Sequence, residues 1–313
     1  MLPQEVRLRR LFPAAALGEI EALRPLSLGL SGAAVYAVRT AGGSYVVRLH
    51  SGDGDAWDRT LPLHRQAAAH GVAPALLHVD EAERCTVSAE VTGTPFGRAL
   101  AQPDQQPAAV ASLIRQLVTL HGLPGVGLPS LDPVGFATGL WQAQVARPGF
   151  PDWGRPFEAR LAPGSEALAR DPRRVPSHGD LNPGNMIWDG QKVWLVDWTT
   201  SGLAHPYLDL ASLATFLSLP DEAALGLLSA QERAPLSEEQ RSVFVKLRDI
   251  ARIGYGCSFL SLVPGLTTVT FLPPEETPDL STCFARLAAG QLDLKSPAGQ
   301  AQIGAAILKQ LCA

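Results

Sequence analysis

The sequence predicts an α+β fold, with a small strand-rich part at the N-terminus and a larger, mainly helical remainder. Between residues 20 and 91, short apolar runs are separated by turn residues, which is typical of strands. From residue 107 onward, apolar residues recur at spacings of three and four, which is typical of helices. The chain has 313 residues, of which 46% are apolar, so it can bury a sizeable core. By the length prior it forms one large domain or two modest ones, and with the change from strands to helices we predict a division into residues 1–91 and residues 92–313.

The N-terminal domain is predicted to contain two helices and five strands. In chain order these are a helix over residues 3–12, strands near Ile20–Leu26, Ala33–Thr40 and Ser44–His50, a helix over Asp55–His70, and strands near Leu76–Val79 and Arg84–Val91. Within the third strand, period-2 alternation places Val47 and Leu49 on one face and Arg48 and His50 on the other. Arg48 is therefore expected to point away from the side that Val47 and Leu49 occupy.

A Gly- and Ser-rich turn, Ser27-Leu28-Gly29-Leu30-Ser31-Gly32, stands between the first two strands. Exposed backbone N–H groups in such a turn form a concave site for an anion such as phosphate. A Gly-x-x-Gly pattern alone is more typical of an ordinary hairpin. Its position ahead of a β-β unit, in a chain with the motif described next, favours phosphate binding.

The stretch His178-Gly179-Asp180-Leu181-Asn182-Pro183-Gly184-Asn185 carries the strongest chemical signal in the chain. It runs into Met186–Trp188, and an Asp-Gly pair then separates this run from Val193–Asp197, which is a strong hairpin signal. Folding that hairpin brings Asn185 and Asp197 to the same open end, with Asp180 on the loop just before it. Two carboxylates and an amide suit Mg²⁺, which takes oxygen ligands from protein, phosphate and water.

The same residues have a simpler interpretation as turn formers. Asp180, Asn185 and Asp189 are residue types that favour turns, because their side chains hydrogen-bond the local backbone. However, the adjoining Pro-Gly pair already supplies the turn chemistry, and Asp197 ends an apolar strand, where an unpaired charge is costly. A bound cation explains both features.

The motif from His178 to Asn185, followed by Leu195-Val196-Asp197-Trp198, resembles the catalytic and metal segments of the aminoglycoside phosphotransferase and choline kinase superfamily, small-molecule relatives of protein kinases. The resemblance implies a two-lobed protein-kinase-like fold, with a small β-rich, nucleotide-binding N-lobe and a larger, mainly helical C-lobe. It implies an ATP-dependent kinase in which Asp180 accepts the proton of a substrate hydroxyl. Asn185 and Asp197 are then expected to hold Mg²⁺ on the ATP phosphates.

Two further residues acquire roles through this resemblance. His178 is expected to orient the catalytic loop rather than to act as the base. Asp209, within Gly202–Ala211, matches a late aspartate of the family that braces the loop through hydrogen bonds. An acid in the first turn of a helix is also favoured by the macrodipole, and the two roles are compatible.

The nucleotide site is expected from the N-lobe. The glycine-rich turn resembles the family's nucleotide loop, with Gly29, Ser31 and Gly32 as contacts, although it lacks the three-glycine form of protein kinases. Backbone groups of the hinge, at Glu90 and Val91, are expected to bond the adenine edge of ATP.

Arg48 marks a departure from the family pattern. Related kinases carry a lysine in this strand, but the first lysine of this chain is Lys192. Arg48 is the candidate to grip the α- and β-phosphates, since arginine is always charged and binds phosphate bidentately. A solvated strand arginine is the alternative. The glutamate that braces the lysine in protein kinases is absent from the following helix. Either Asp55 or Asp58 therefore reaches Arg48, or there is no brace.

The segments that look most like the thiamine-kinase branch are Gly29–Gly32, Val46–Arg48 and Leu63–Gln66.

The acceptor is expected to be a small molecule with a hydroxyl, of choline, thiamine, sugar or amino-alcohol type. A cationic acceptor favours an aromatic cage, for which Trp141, Trp153, Trp198 and Asp152 are candidates, although core packing is the more typical role of each tryptophan. Residues 123–176 mix acids with arginines, which counts against polycationic aminoglycosides.

The alternatives to a small-molecule kinase are a pseudokinase that binds nucleotide as an interaction module, an aminoglycoside resistance kinase, and a metal-dependent hydrolase with Asp180 as nucleophile.

Composition excludes other classes of function. A net charge of −4 and a pI near 6.0 give no footprint for nucleic acid, and no run approaches the length of a membrane span. The four cysteines stand far apart, which indicates reduced thiols. We expect a cytoplasmic monomer or homodimer.

Overall fold

A computed structural model describes residues 3–26, 34–50 and 54–312, and it confirms the predicted α+β class. These residues fall into two compact units, each with its own hydrophobic core. The first unit comprises Met1–Pro129 and Gly184–Gly202, and the second comprises Ser130–Pro183 and Leu203–Ala313. Each unit is thus built from two separate stretches of chain. The lobe boundary that we place after residue 91 stays a prediction.

A five-stranded antiparallel sheet forms the centre of the first unit. In chain order its strands are β1 (Ala22–Pro25), β2 (Ala34–Thr40), β3 (Gly43–Leu49), β4 (Leu76–Asp80) and β5 (Cys85–Ala89). Their spatial order is β1-β2-β3-β5-β4, so β3 is the central strand. Arg48 on β3 lies opposite Val35 of β2 and Thr86 of β5. The five strands predicted for this region are therefore present.

The first unit also contains helices and a second, smaller sheet. The helices are α1 (Pro3–Leu11), α2 (Ala14–Leu17), α3 (Gly54–Ala69), α4 (Phe96–Leu100) and α5 (Gln106–His121). The smaller sheet is antiparallel and consists of β6 (Thr94–Pro95), β8 (Met186–Trp188) and β9 (Val193–Leu195). The buried Ser112 hydroxyl on α5 accepts the Val193 N–H at 2.9 Å. This bond ties the predicted hairpin, which comes late in the chain, to the first unit.

Alternation along β3 decides which side chains enter the core. Val47 and Leu49 are buried, whereas Arg48 and His50 are only half-buried, as the period-2 pattern predicts. The buried face packs against α1, whose Leu8 is inaccessible to solvent. Burying one such leucine stabilises the fold by roughly 2 kcal/mol. The opposite face of the sheet is left for the polar residues of the site.

The second unit is mainly helical. Its helices are α6 (Pro133–Val145), α7 (Leu161–Arg170), α8 (Leu208–Phe216), α9 (Asp221–Glu232), α10 (Glu238–Ser261), α11 (Leu280–Ala288) and α12 (Pro297–Leu308). The long α10 contacts α6, α7, α8 and α12, and it begins with a capping box between Ser237 and Gln240. A Cβ atom on Gly256 would meet the Leu308 side chain at 2.6 Å. Glycine at this position is therefore what allows the close crossing of α10 and α12.

Two short strands of the second unit flank the segment that carries the predicted catalytic residues. Strand β7 (Val175–Ser177) leads directly into His178 and pairs with β10 (Gly202–Ala204). Strand β10 in turn precedes α8. The loop after β7 and the first turn of α8 therefore both start from this pair of strands. Among the helices in the described ranges, none is both long enough and apolar enough to cross a membrane.

Candidate functional site

The hairpin of β8 and β9 places two of the predicted metal ligands at one end. Met186 lies opposite Leu195, and beyond this pair the Val196 N–H donates to the Asn185 carbonyl at 2.9 Å. Asn185 therefore lies at the open end of the hairpin, and so does Asp197, which follows Val196. The Asp-Gly signal predicts this arrangement. At the other end, the Asp189 carboxylate accepts the Lys192 N–H at 2.7 Å. For Asp189 the simpler interpretation, a turn residue, is correct.

Asp197 has an unusual backbone conformation. Strand β9 ends at Leu195, two residues earlier than the sequence predicts, and Asp197 has a φ of 66°. Aspartate tolerates this left-handed region better than most residues, yet it remains uncommon and is enriched at functional sites. The turn sets the direction of the side chain, whose Oδ1 accepts a hydrogen bond from the Thr199 hydroxyl at 2.8 Å.

Arg48 is the ionic partner of Asp197. Its Nη2 lies 2.8 Å from Asp197 Oδ2, and the two side chains are only 17% and 18% exposed. Asp58, one of the acids considered for this pairing, is exposed, and the side chain of Asp55, the other, lies outside the described residues. Asp197 of the distant hairpin, rather than Asp58, is thus the described partner of Arg48, and a contact with Asp55 stays a prediction.

The other terminal nitrogen of the Arg48 guanidinium, Nη1, is not hydrogen-bonded in the described part of the chain. Its Nη1 is buried and has no hydrogen-bond partner within the described ranges 3–26, 34–50 and 54–312. A buried donor without a hydrogen-bond partner costs free energy. The hydrogen bonds of a charged donor are strongest when the acceptor is an anionic oxygen. The interpretation of Arg48 as a solvated strand arginine is therefore wrong, and its open donor suits a phosphate.

His50 is shielded beside this ion pair. Its ring lies edge-on to Trp57, with centroids 4.6 Å apart. Burial, followed by the positive charge of Arg48 and offset in part by Asp197, lowers the pKa of His50 to about 4. The neutral ring is therefore the form that the folded chain holds at neutral pH.

We expect the contribution of His50 to lower the free energy of unfolding by roughly 2 kcal/mol between pH 7 and pH 5. The reason is that the imidazole of the unfolded chain binds a proton below its ordinary pKa of 6.5, whereas the imidazole of the folded chain does not. This contribution is complete above pH 6.5 and is lost as the pH falls through the folded pKa. Urea unfolding without nucleotide or divalent cations measures it. His50→Gln should flatten the dependence, whereas His70→Gln, at an exposed position, should not. Equal slopes for wild type and His50→Gln would contradict the expectation.

In the second unit, Asp209 clamps the loop that follows β7. Its carboxylate is inaccessible to solvent and accepts two backbone N–H groups, from His178 at 3.1 Å and from Gly179 at 3.0 Å. Asp209 lies in the first turn of α8, where the helix dipole also favours a negative charge. The loop is therefore held to α8 by a buried charge that accepts both backbone N–H groups.

Asp180 lies next in that loop and is itself held by its neighbours. The Asn182 side-chain amide donates to Asp180 Oδ2 at 3.1 Å, and the His178 Nδ1 atom lies 3.4 Å from the Asp180 backbone nitrogen. His178 is fully buried, which suits a residue that orients the loop. Asp180 belongs to the second unit, and Asn185 and Asp197 to the first, so their convergence on one ion stays a prediction.

A partly buried group of polar and charged side chains joins the segment before β7 to the segment after β10, and the sequence analysis missed it. His205 Nε2 lies 3.1 Å from Asp171 Oδ2, and Arg173 binds the same carboxylate at 2.6 Å. Hydrogen bonding by Arg173 is the main reason that the pKa of Asp171 lies well below its ordinary value. Arg173 also donates to the Tyr207 hydroxyl, 34 positions along the chain. No local pattern in the sequence marks such a pairing.

The structure is less informative about the expected nucleotide contacts. Gly29, Ser31 and Gly32 lie outside the described residues. The Glu90 N–H donates to the Ser44 carbonyl at 3.0 Å, which joins the start of the hinge to β3. The adenine contacts expected at Glu90 and Val91 stay a prediction.

Two of the three tryptophans considered for an aromatic cage, Trp141 and Trp198, have structural roles. Trp141 is fully buried in the core of the second unit, edge-on to Phe150 at 5.3 Å. Trp198, in the first unit, is 4% exposed and stacks on His64. Because a ligand cannot reach a fully buried ring, core packing is the correct interpretation of Trp141, and Trp198 is almost as inaccessible.

The residues present fit a hard cation by the chemistry of their donors. Asn185 and Asp197 offer oxygen atoms, and the described ranges contain no group of three or more His, Cys, Asp or Glu side chains that could hold a metal by themselves. An ion at this place would therefore depend on phosphate oxygens and water for its remaining ligands, as Mg²⁺ commonly does.

Comparison with known proteins places the chain among phosphotransferases. The model of a family described as the phosphotransferase enzyme family, APH, matches residues 22–242, which is more than half of the chain. Protein LicA of Haemophilus influenzae is 36% identical over 63 residues, which are 20% of this chain and 19% of that protein. The match thus spans about a fifth of the length of this curated relative.

Three solved structures share the fold. A choline/ethanolamine kinase family protein from Mesorhizobium loti is 20% identical with a TM-score of 0.69, covering 98% of this chain and 99% of that chain. Choline kinase LicA from Streptococcus pneumoniae is 16% identical with a TM-score of 0.58, covering 80% and 88%. An aminoglycoside phosphotransferase from Streptomyces rimosus, solved with ADP and streptomycin, is 24% identical with a TM-score of 0.56, covering 80% and 99%. These likenesses confirm the predicted kinase-like fold.

Proposed function

Because the chain belongs to the phosphotransferase enzyme family, we propose that it transfers the γ-phosphate of ATP to a hydroxyl of a small amino-alcohol. The observation that carries this proposal is the contact between Arg48 and Asp197. The contact joins Arg48, whose buried Nη1 has no hydrogen-bond partner among the described residues, to the carboxylate of Asp197, which lies beside Asn185. Phosphate binding and metal binding thus have their candidate residues side by side within one compact unit.

Each residue has a role in the proposed reaction. Arg48 binds the α- and β-phosphates of ATP through its free Nη1. Asn185 and Asp197 would hold Mg²⁺, which neutralises charge on the phosphates during transfer. Asp180 accepts the proton of the acceptor hydroxyl as its oxygen forms the new bond to phosphorus and the bond to ADP breaks. Positioned base chemistry of this kind contributes roughly 10²- to 10⁴-fold to the rate.

The acceptor class rests on several independent indications. The structure from Mesorhizobium loti, which matches over nearly the whole of both chains, is described as a choline/ethanolamine kinase family protein. The local match to LicA, a protein whose Streptococcus pneumoniae namesake is described as a choline kinase, points the same way. Residues 123–176 mix acidic residues with arginines, whereas a polycationic aminoglycoside favours a strongly acidic surface. We therefore place a small amino-alcohol first, thiamine and sugars next, and an aminoglycoside last.

The test is acceptor-dependent release of ADP with Mg·ATP. We would assay choline, ethanolamine, thiamine, simple sugars and an aminoglycoside, and identify each phosphorylated product by mass spectrometry. The proposal expects turnover with at least one amino-alcohol. Nucleotide binding in a thermal-shift assay without turnover of any acceptor would instead assign a pseudokinase. Phosphate release without acceptor, with a phosphorylated Asp180, would assign a hydrolase. Gel filtration would test our further expectation of a monomer or homodimer.

A further inference from the structure

The turn that carries Asp197 in the first unit is closed by hydrogen bonds to its backbone. The Trp198 indole N–H donates to the Leu195 carbonyl at 3.1 Å, and the Ser201 hydroxyl donates to the Trp198 carbonyl at 2.9 Å. Trp198 is buried and stacks on His64 of α3. The turn is therefore held by contacts that do not involve the carboxylate of Asp197.

The carboxylate of Asp197 is held separately, by one donor at each oxygen. The Thr199 hydroxyl donates to Oδ1 at 2.8 Å, and Arg48 Nη2 lies 2.8 Å from Oδ2. In an extended strand, residues two positions apart are separated by roughly 6.6 Å. The left-handed conformation at Asp197, with a φ of 66°, turns the chain and brings the short side chain of Thr199 within reach.

The two donors differ in what else they do. In the proposed reaction Arg48 also binds the phosphates of ATP, and its side chain is long, with several rotatable bonds. Thr199 is half-buried and branched at Cβ, which restricts its χ1 angle. Thr199 is therefore the donor that can keep the direction of the Asp197 carboxylate while Arg48 engages phosphate.

Hydrogen bonds to a metal-binding carboxylate orient its oxygen atoms toward the ion. A carboxylate has about four lone-pair positions, so accepting a hydroxyl does not prevent the same group from ligating a cation. We propose that Thr199 is a positioning residue, which holds the Asp197 carboxylate in the orientation that binds Mg²⁺ together with the phosphates of ATP. This proposal rests on the proposed function. Turn formation alone does not explain the hydroxyl, since Trp198 and Ser201 already close the turn.

Thr199→Val tests the proposal, because valine has nearly the shape of threonine but cannot donate a hydrogen bond. The measurement is isothermal titration calorimetry with a non-hydrolysable ATP analogue, once with Mg²⁺ and once with EDTA. We expect the affinity with Mg²⁺ to fall by roughly 10- to 100-fold, the usual cost of removing a hydrogen-bond partner of a metal ligand. The affinity with EDTA should stay nearly unchanged. By linkage, the ratio of the two affinities changes by the same factor as the affinity of the nucleotide complex for Mg²⁺.

Three further variants isolate the effect of the hydroxyl. Thr199→Ser keeps the hydroxyl and should restore the ratio to that of wild type. Thr199→Ala removes the hydroxyl without putting a methyl group in its place, and should lower the ratio as Thr199→Val does. Thr119→Val is the matched control, because it also removes a threonine hydroxyl with a local hydrogen bond, to the Arg115 carbonyl at 2.9 Å on the exposed face of α5. This control should leave the ratio unchanged.

A wild-type ratio in both Thr199→Val and Thr199→Ala would overturn the proposal, and so would a failure of Thr199→Ser to restore the ratio. A structural role predicts an equal loss with Mg²⁺ and with EDTA, or a failure of both hydroxyl-free variants to fold, and either result would also overturn it. All these outcomes leave the proposed function standing if wild type transfers phosphate to an acceptor. An absence of turnover in wild type with every acceptor would instead overturn the proposed function, and this proposal with it.

Discussion

An Asp180→Asn variant is expected to lose at least about 100-fold in kcat while it folds normally, because an amide of the same shape cannot accept the proton of the acceptor hydroxyl. Asp180 lies in the loop that Asp209 clamps through the N–H groups of His178 and Gly179, and this clamp does not depend on the Asp180 carboxylate. Backbone geometry and the KM for ATP should therefore be preserved. The measurement is kcat from the ADP-release assay, alongside Tm.

The matched control for this variant is Asp104→Asn. Asp104 is exposed, and surface substitutions away from the site change stability little. The control should keep full activity. If Asp180→Asn also kept full activity, Asp180 would not be the base, and the proposed mechanism would be abandoned.

An Arg48→Ala variant is expected to raise the KM for ATP by more than tenfold. Two contacts are lost together: the open Nη1 no longer meets a phosphate oxygen, and Asp197 loses the partner 2.8 Å away that neutralises it. Truncation of one member of a largely buried ion pair leaves the other charge unpaired, so a lower Tm is expected as well. The measurements are KM from initial rates at varied Mg·ATP, and Tm without nucleotide.

Arg48→Lys distinguishes the two losses. Lysine keeps a positive charge for Asp197 but cannot form a planar, two-armed contact with phosphate, so the Tm should recover more fully than the KM. Arg39→Ala, at an exposed position on the neighbouring strand β2, is the control and should leave the KM unchanged. An unchanged KM in Arg48→Ala would remove Arg48 from the nucleotide site.

Much of the local structure follows from the sequence alone. Period-2 alternation in β3 separates the buried Val47 from Arg48, and the Asp-Gly pair sets the hairpin that carries Asn185 to its open end. Both are decided by interactions between residues close in the chain, which leave a regular pattern. The motif from His178 to Asn185 likewise suffices for the family, because its spacing is itself the signature.

Only the tertiary structure decided which distant side chains meet. Arg48 pairs with Asp197 of the distant hairpin, Arg173 donates to the Tyr207 hydroxyl 34 positions along the chain, and Trp141 lies in the core instead of lining a pocket. Contacts of this kind result from the burial of whole helix faces and strand registers, summed over many residues. No single segment carries that sum, so a single sequence contains no local pattern from which such contacts can be predicted.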